Sequence, residues 1–281
     1  MTIKNFIDGA VARLGGLYSE PEGKAIAFRL VEHFLQLPSY KYIAEPGLEV
    51  EDGNAVLMED ALVQLSTGRP LQYVLGYAEF CGHRFKVREG CLIPRPETEE
   101  LVYRIIDECS EAEVGDEGFN ILDMCTGSGC IAYSLAAELP GAMVYGCDLS
   151  DKALSMASRQ RIKLPGASPV IFFADILQDP PAGLPQFDVI VSNPPYVCES
   201  ERAAMRPNVL EHEPEEALFV PDADPLKFYR AVRSWADRLL KPDGRVYLEI
   251  NERFGPEVSG LFPGSEVLKD INGRDRFVVR R

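Results

Sequence analysis

The chain has 281 residues, 46% of them hydrophobic and 26% charged, and carries a formal net charge of −15. That length admits two domains, or one large domain with an extension, and the composition is ordinary for a globular protein. No apolar stretch nears the roughly 18 residues that span a bilayer, the first eight residues lack the apolar core of a signal peptide, and the acidic balance argues against binding nucleic acid chiefly through phosphates. An acidic body suits a basic protein partner, whose opposite field raises the encounter rate, and equally suits simple solubility. Seven cysteines, an odd count without a C-x-x-C pair, read as reduced cytoplasmic thiols. The three histidines, His33, His83 and His212, stand far apart without ligand spacing, so no metal is expected.

In chain order, residues 1–75 read as a small helical domain. Ser19-Glu20-Pro21-Glu22 is a capping box with proline in the first turn. Ala27, Leu30, Val31 and Phe34 follow at helical spacing until Pro38, and a later helix places Leu57, Ala61, Leu62 and Leu65 on one face before Gly68 and Pro70. Nothing there has the makings of a catalytic centre, and such bundles appended to enzymes often select a partner. Residues 76–94, with Phe80, Phe85, Val87, Leu92 and Ile93 interleaved with Gly82 and Gly90, predict a β-hairpin linker. The remainder, 95–281, opens on a helix with Leu101, Val102, Ile105, Ile106 and Cys109 on one face, then an acidic surface loop over 110–118. From Phe119 strands near 120–123, 143–148, 170–174, 187–192 and 244–250 alternate with helices near 129–138, 151–164 and 224–240, which implies a parallel sheet with helices on both faces. A final pair, 266–270 and 274–280 around Ile271-Asn272-Gly273, is a hairpin, so the last strand should run antiparallel to its neighbours.

Ile121-Leu122-Asp123-Met124-Cys125-Thr126-Gly127-Ser128-Gly129-Cys130-Ile131-Ala132 is a strand, a glycine loop and a helix start, and Asp148 ends the next strand about 20 residues on. Alone, this supports a dinucleotide oxidoreductase and an S-adenosylmethionine methyltransferase equally. Three features favour the methyltransferase: the loop comes only after about 120 residues, no second mononucleotide half follows, and the fourth strand ends in Asn193-Pro194-Pro195-Tyr196. Neither proline donates an N–H, so the strand stops there. The turn offers the Asn193 side-chain oxygen and the Pro194 carbonyl as acceptors beside the Tyr196 ring, a set suited to gripping a planar amide or amino group by both hydrogens. Asp175, at the end of the third strand, is as well explained by strand-end capping as by contact with an adenine amino group, and Ile176 follows it as an apolar cover.

Together these residues resemble the release factor glutamine methyltransferase family, of the class I S-adenosylmethionine-dependent fold: a Rossmann-like, mostly parallel sheet with an antiparallel last strand plus an N-terminal helical bundle. The resemblance covers nearly the whole chain and is carried by Gly68-Arg69-Pro70-Leu71-Gln72-Tyr73-Val74-Leu75-Gly76, Leu92-Ile93-Pro94-Arg95-Pro96-Glu97-Thr98-Glu99, Thr126-Gly127-Ser128-Gly129, Asp148 and Val191-Ser192-Asn193-Pro194-Pro195-Tyr196. It implies S-adenosylmethionine as methyl donor, S-adenosylhomocysteine as product, and the glutamine of the Gly-Gly-Gln loop of peptide chain release factors as acceptor. The cofactor set is then Cys125, Thr126, Gly127, Ser128, Gly129, Asp148, Asp175, Ile176 and Asn193. Asn193, Pro194 and Tyr196 are the catalytic set and, with Pro195, hold the substrate. Arg95-Pro96-Glu97-Thr98 falls near the cofactor's outer side.

Asn-Pro-Pro-Tyr also occurs in DNA adenine and RNA guanine amino-group methyltransferases, and a sister family acts on ribosomal protein L3. A nucleic-acid base and that glutamine are therefore the alternative acceptors, and a cofactor-binding protein without turnover is the non-enzyme alternative. Cys125 replaces the usual first glycine of the loop, Asp175-Ile176-Leu177 lacks a frequent aromatic over adenine, and Val220-Pro221 and Asn251-Glu252 stand where glycines are common. Cys125 and Cys130, with no histidine base beside them, read as packing residues. Glu211-His212-Glu213-Pro214-Glu215-Glu216 reads as a solvated acidic face. A monomer is expected, with no nucleic acid or membrane partner.

Overall fold

A computed structural model describes residues 1–110 and 118–281, and the acidic loop expected over 110–118 lies almost entirely outside the described residues. The chain divides into two compact units, one of residues 1–76 with 206–212, the other of 77–205 with 213–281.

The first unit is built on α1 (Ile3–Leu14), α2 (Glu20–Leu35), α3 (Ser39–Ala44), α4 (Asp52–Ser66) and α5 (Leu71–Leu75). The capping box forms as expected: the Ser19 backbone N–H donates to the Glu22 carboxylate at 3.1 Å, satisfying a donor that the first turn leaves orphaned. One correction concerns α4. Its buried face is Met58, Ala61, Leu62 and Leu65, while Leu57 is half exposed. Met58 continues the i, i+3, i+4, i+7 row, whereas Leu57 is rotated about 100° off it.

The second unit starts with the hairpin β1 (Tyr77–Phe80) and β2 (His83–Lys86), whose two-residue turn Cys81-Gly82 takes positive φ at both positions. The hairpin ends at Lys86, short of Leu92 and Ile93. After α6 (Pro96–Cys109) the chain builds β3 (Phe119–Met124), α7 (Cys130–Glu138), β4 (Ala142–Asp148), α8 (Asp151–Ala157), β5 (Val170–Phe173), β6 (Phe187–Ser192) and the short β7 (Val197–Cys198). Then come α9 (Pro207–His212, counted in the first unit), β8 (Phe219–Val220), α10 (Lys227–Leu239), β9 (Leu240–Glu249), α11 (Gly255–Leu261), β10 (Glu266–Lys269) and β11 (Asp275–Arg280). Helix α8 stops at Ala157, seven residues before the expected end. Gln160 turns inward there instead: its side chain accepts from the Lys86 N–H at 2.9 Å and donates to the Lys86 and Ser128 carbonyls, tying the hairpin to the glycine loop.

The main sheet has the order β10-β11-β9-β6-β3-β4-β5, and β11 alone runs antiparallel, to both β9 and β10. Ile121, Val189 and Val191 pack under α6 and α7, while Leu122, Ile190, Val246 and Leu248 pack under α10 and α11. This strict alternation is why the strands read as continuous apolar runs: both faces are covered. The parallel registers Met124↔Cys147, Met124↔Ser192, Asp148↔Phe173 and Ser192↔Leu248 bring the strand ends level along one edge. Chain order reverses at β3, whose neighbours are β4 and β6, so a crevice opens there at the carboxyl ends.

Candidate active site

Several chain segments leave that edge together, and the glycine loop after β3 lines the crevice. Cys125, Gly127 and Gly129 have φ of +61°, +56° and +81°. For Cys125 this left-handed conformation costs on the order of 1 kcal/mol, which the usual glycine would avoid. Gly127 presents bare backbone, and its N–H donates to Asp148 Oδ2 at 2.8 Å. The other oxygen, Asp148 Oδ1, accepts from the Ser150 N–H at 2.9 Å.

A cleft of about 340 Å³ is bounded by this loop, Asp148, Asp175 and Ile176, the segment Gly90-Cys91-Leu92, and Asn193 with Pro195. Of the expected cofactor set, Cys125, Gly127, Asp148, Asp175, Ile176 and Asn193 line it. Thr126 and Ser128 are buried behind it, and Gly129 caps α7 with no room for a side chain, since a Cβ would sit 3.0 Å from the Tyr133 ring. These three shape the loop. Asp175 also caps its own strand end, its Oδ1 accepting from the Leu177 N–H at 2.9 Å. The charged residues of the lining are Asp148, Asp175 and Glu216, with no lysine or arginine among the described residues. That lining suits a ligand that carries a cationic sulfonium and an adenosine.

The Asn193-Pro194-Pro195-Tyr196 turn stands between this cleft and a smaller one of about 30 Å³ lined by Arg95, Asn193, Pro194 and Tyr196. Ser192 anchors the turn, its hydroxyl donating to the Met124 carbonyl at 2.7 Å. Asn193 Nδ2 donates to Thr98 Oγ1 at 3.1 Å, Thr98 donates to Glu249 Oε2 at 2.6 Å, and the Tyr196 hydroxyl donates to Glu249 Oε1 at 2.8 Å. Glu249 is buried at the end of β9, which pushes its carboxyl up, against the pull of Thr98 and Tyr196. Asn251, in the position where glycine is common, donates to the Tyr196 carbonyl at 3.1 Å and to Glu201 at 2.8 Å, fixing the turn from behind.

The acidic stretch 211–216 needs a correction at Glu213. Its carboxylate is buried and accepts from the Ile93 N–H at 3.0 Å and from Arg95 at 2.7 Å, so it clamps the segment before α6. Pro214 and Glu216 line the larger cleft. Burial drives the Cys125 and Cys130 thiols well up, away from the reactive thiolate form. The roles of Glu213, Glu249 and Asn251 are not apparent from the sequence alone. A usable signal existed for Glu249, an acid ending the apolar run Val246-Tyr247-Leu248 as Asp148 ends its own strand.

Asp123 lies beneath the loop. Its Oδ2 accepts from Thr126 at 2.5 Å and from the Ala132 N–H at 3.2 Å, while Oδ1 is buried without a partner among the described residues. Burial, with the nearby Asp148 charge adding, pushes the carboxyl up to about 7. The folded value thus exceeds the unfolded one of about 3.9, so the fold favours the protonated form and loses stability as pH rises from about 4 to 7. Asp123→Asn is expected to lack this loss. Denaturant titrations at pH 5 and pH 8 should show the variant gaining on the parent by a few kcal/mol at the higher pH, and an unchanged difference would refute the assignment.

The level strand ends, the glycine loop with its acidic cleft and the acceptor turn define a class I S-adenosylmethionine-dependent methyltransferase. Residues 107–215 match the model of the Methyltransferase small domain, and residues 7–76 match that of the PrmC N-terminal domain. The chain is 41% identical to the release factor glutamine methyltransferase of Flavobacterium psychrophilum over 99% of its own length and 98% of that relative's. It is 43% identical to that of Bacteroides thetaiotaomicron, with 79% of each chain covered, and 39% identical to that of Bacillus subtilis, with 75% of each covered. The chain belongs to the release factor glutamine methyltransferase family.

Proposed function

We propose that this protein methylates the side-chain amide nitrogen (N5) of the glutamine in the Gly-Gly-Gln loop of peptide chain release factors. Membership of the family and the geometry of Asn193 support the reading, and the observation that carries it is the placement of Asn193 at the junction of the two clefts. The larger cleft takes S-adenosylmethionine, which supplies an electrophilic methyl group and leaves as S-adenosylhomocysteine. Asp148 accepts from ribose hydroxyls with the lone pairs that Gly127 and Ser150 leave free, Ile176 covers the adenine, and the bare backbone of Gly127 admits the methionine portion.

An amide nitrogen is a poor nucleophile because its lone pair is conjugated with the carbonyl, a conjugation visible in the roughly 18–20 kcal/mol barrier to peptide rotation. Asn193 Oδ1 and the Pro194 carbonyl each accept one amide hydrogen. They turn the nitrogen toward the larger cleft and stabilise the positive charge it gains during displacement. Tyr196 closes on the flat amide and excludes water. No strong base is needed before attack, and once the sulfur–methyl bond has broken the cationic nitrogen gives up one of its two hydrogens to solvent. The helical unit selects the protein acceptor, and we place the enzyme in the cytoplasm as a monomer.

The test is transfer of a labelled methyl group from S-adenosylmethionine to purified release factor, ribosomal protein L3 or nucleic acid. Label on the release factor glutamine is expected. Label on L3 or nucleic acid alone overturns the choice of acceptor, and label on none overturns the enzyme.

A further inference from the structure

A carboxamide has two ends, and only one sense of Asn193 serves an amide acceptor. With Oδ1 toward the smaller cleft it accepts an amide hydrogen, whereas with Nδ2 there it meets two hydrogens with two more. The chain must therefore settle the sense before the acceptor arrives, and the buried polar groups behind the turn have the means to do so.

We propose that Thr98 and Glu249 are a positioning pair that holds the Asn193 carboxamide with its oxygen facing the acceptor, an inference that rests on the acceptor reading above. The logic is one of hydrogen counting. Both oxygens of Glu249 accept, Oε2 from Thr98 at 2.6 Å, so the single hydroxyl hydrogen of Thr98 is committed there. Thr98 Oγ1 then has only lone pairs left for Asn193, and it takes Nδ2 at 3.1 Å. The oxygen of the carboxamide is left facing away from the pair. The second oxygen of Glu249 receives the Tyr196 hydroxyl at 2.8 Å, so one buried carboxylate sets both walls of the amide site. Thr98 and Glu249 are respectively 2% and 1% exposed. Water does not compete at such depth, and a buried network with every member satisfied is rigid.

The pair joins two features that look unrelated in the sequence, the threonine of Pro96-Glu97-Thr98-Glu99 and the acid that ends β9. Neither touches the acceptor, so they act through Asn193 and Tyr196. A purely structural role would lower stability and cofactor affinity together, and positioning makes a different demand.

The experiment compares full-length wild type, Thr98→Val and Thr98→Ser. The readouts are methyl transfer to release factor, calorimetric binding of S-adenosylhomocysteine, and thermal melting. Thr98→Val is expected to lower kcat about tenfold, the worth of one well-made hydrogen bond, with cofactor-product affinity unchanged, and Thr98→Ser should recover most of that loss. A folded Thr98→Val enzyme with wild-type kcat overturns the pair, as does equal loss in the valine and serine variants.

A second measurement holds even if the valine variant does not fold. In 15N-labelled wild-type enzyme, with the Asn193 side-chain resonances assigned by their loss in Asn193→Ala, one amide proton should exchange slowly because Thr98 holds it. Two fast-exchanging protons overturn the pair. A wild-type enzyme that fails to label release factor is a different result, since it overturns the acceptor reading itself.

Discussion

Asn193→Ala is expected to lower kcat by about 10²- to 10³-fold while S-adenosylhomocysteine still binds. The magnitude follows from what the residue supplies: one preorganised partner, worth roughly 3–4 kcal/mol where charge develops in a site that excludes water. Preorganisation is visible in the structure. Asn193 follows Ser192, which is bonded to the Met124 carbonyl, and precedes two prolines whose φ is fixed. Its own amide is held by Thr98. On the proposed reading the oxygen stands in place before the acceptor arrives, and alanine removes it without disturbing the glycine loop. Turnover measured under saturating S-adenosylmethionine, beside calorimetry with the product, separates chemistry from binding. A variant retaining turnover near wild type would show that Asn193 is only a turn residue.

Much of this arrangement is legible in the residue order, for identifiable reasons. Strands such as Phe187–Ser192 are buried on both faces, so they read as unbroken apolar runs. The prolines after Asn193 and the Asn272-Gly273 turn punctuate the chain locally, and each marks a strand end without reference to distant residues. What stays hidden depends on long-range pairing. Thr98 and Glu249 are separated by 151 residues and meet only because α6, packed against the sheet, brings its first turn to the end of β9. Glu213 sits in an acidic stretch that looks solvated until Ile93 and Arg95, 118 or more residues away, claim its carboxylate. Helix α8 fails to reach residue 164 for a similar reason: Gln160 is worth more bonded to Lys86 and Ser128 than exposed on another turn. Leu57 and Met58 are both apolar, and only packing selects between the adjacent faces they occupy.

Asp148→Ala should produce the complementary defect, an affinity for S-adenosylhomocysteine about 100-fold weaker or worse. The Asp148 carboxylate accepts two backbone N–H groups, from Gly127 at 2.8 Å and Ser150 at 2.9 Å, and both belong to the walls of the cleft. Burial pushes its pKa up while those two bonds pull it down, and bonds to a charged acceptor are worth about 1.5–3 kcal/mol each. Removing the group leaves both donors unpaired and frees Gly127 from the conformation that opens the cleft. On the proposed reading it also removes the acceptor for ribose hydroxyls. Losing about 3 kcal/mol of cofactor binding corresponds to roughly 100-fold in Kd. Asp148→Asn keeps one acceptor oxygen but turns a donor toward one of the two N–H groups, so it should fall closer to alanine than to wild type. The two sites then part cleanly. At cofactor concentrations well above the raised Kd, Asp148→Ala should regain much of its turnover, whereas no concentration restores Asn193→Ala. If excess cofactor fails to rescue Asp148→Ala although the protein is folded, the carboxylate acts on the chemistry as well as on binding, and the division of labour between the two clefts is wrong.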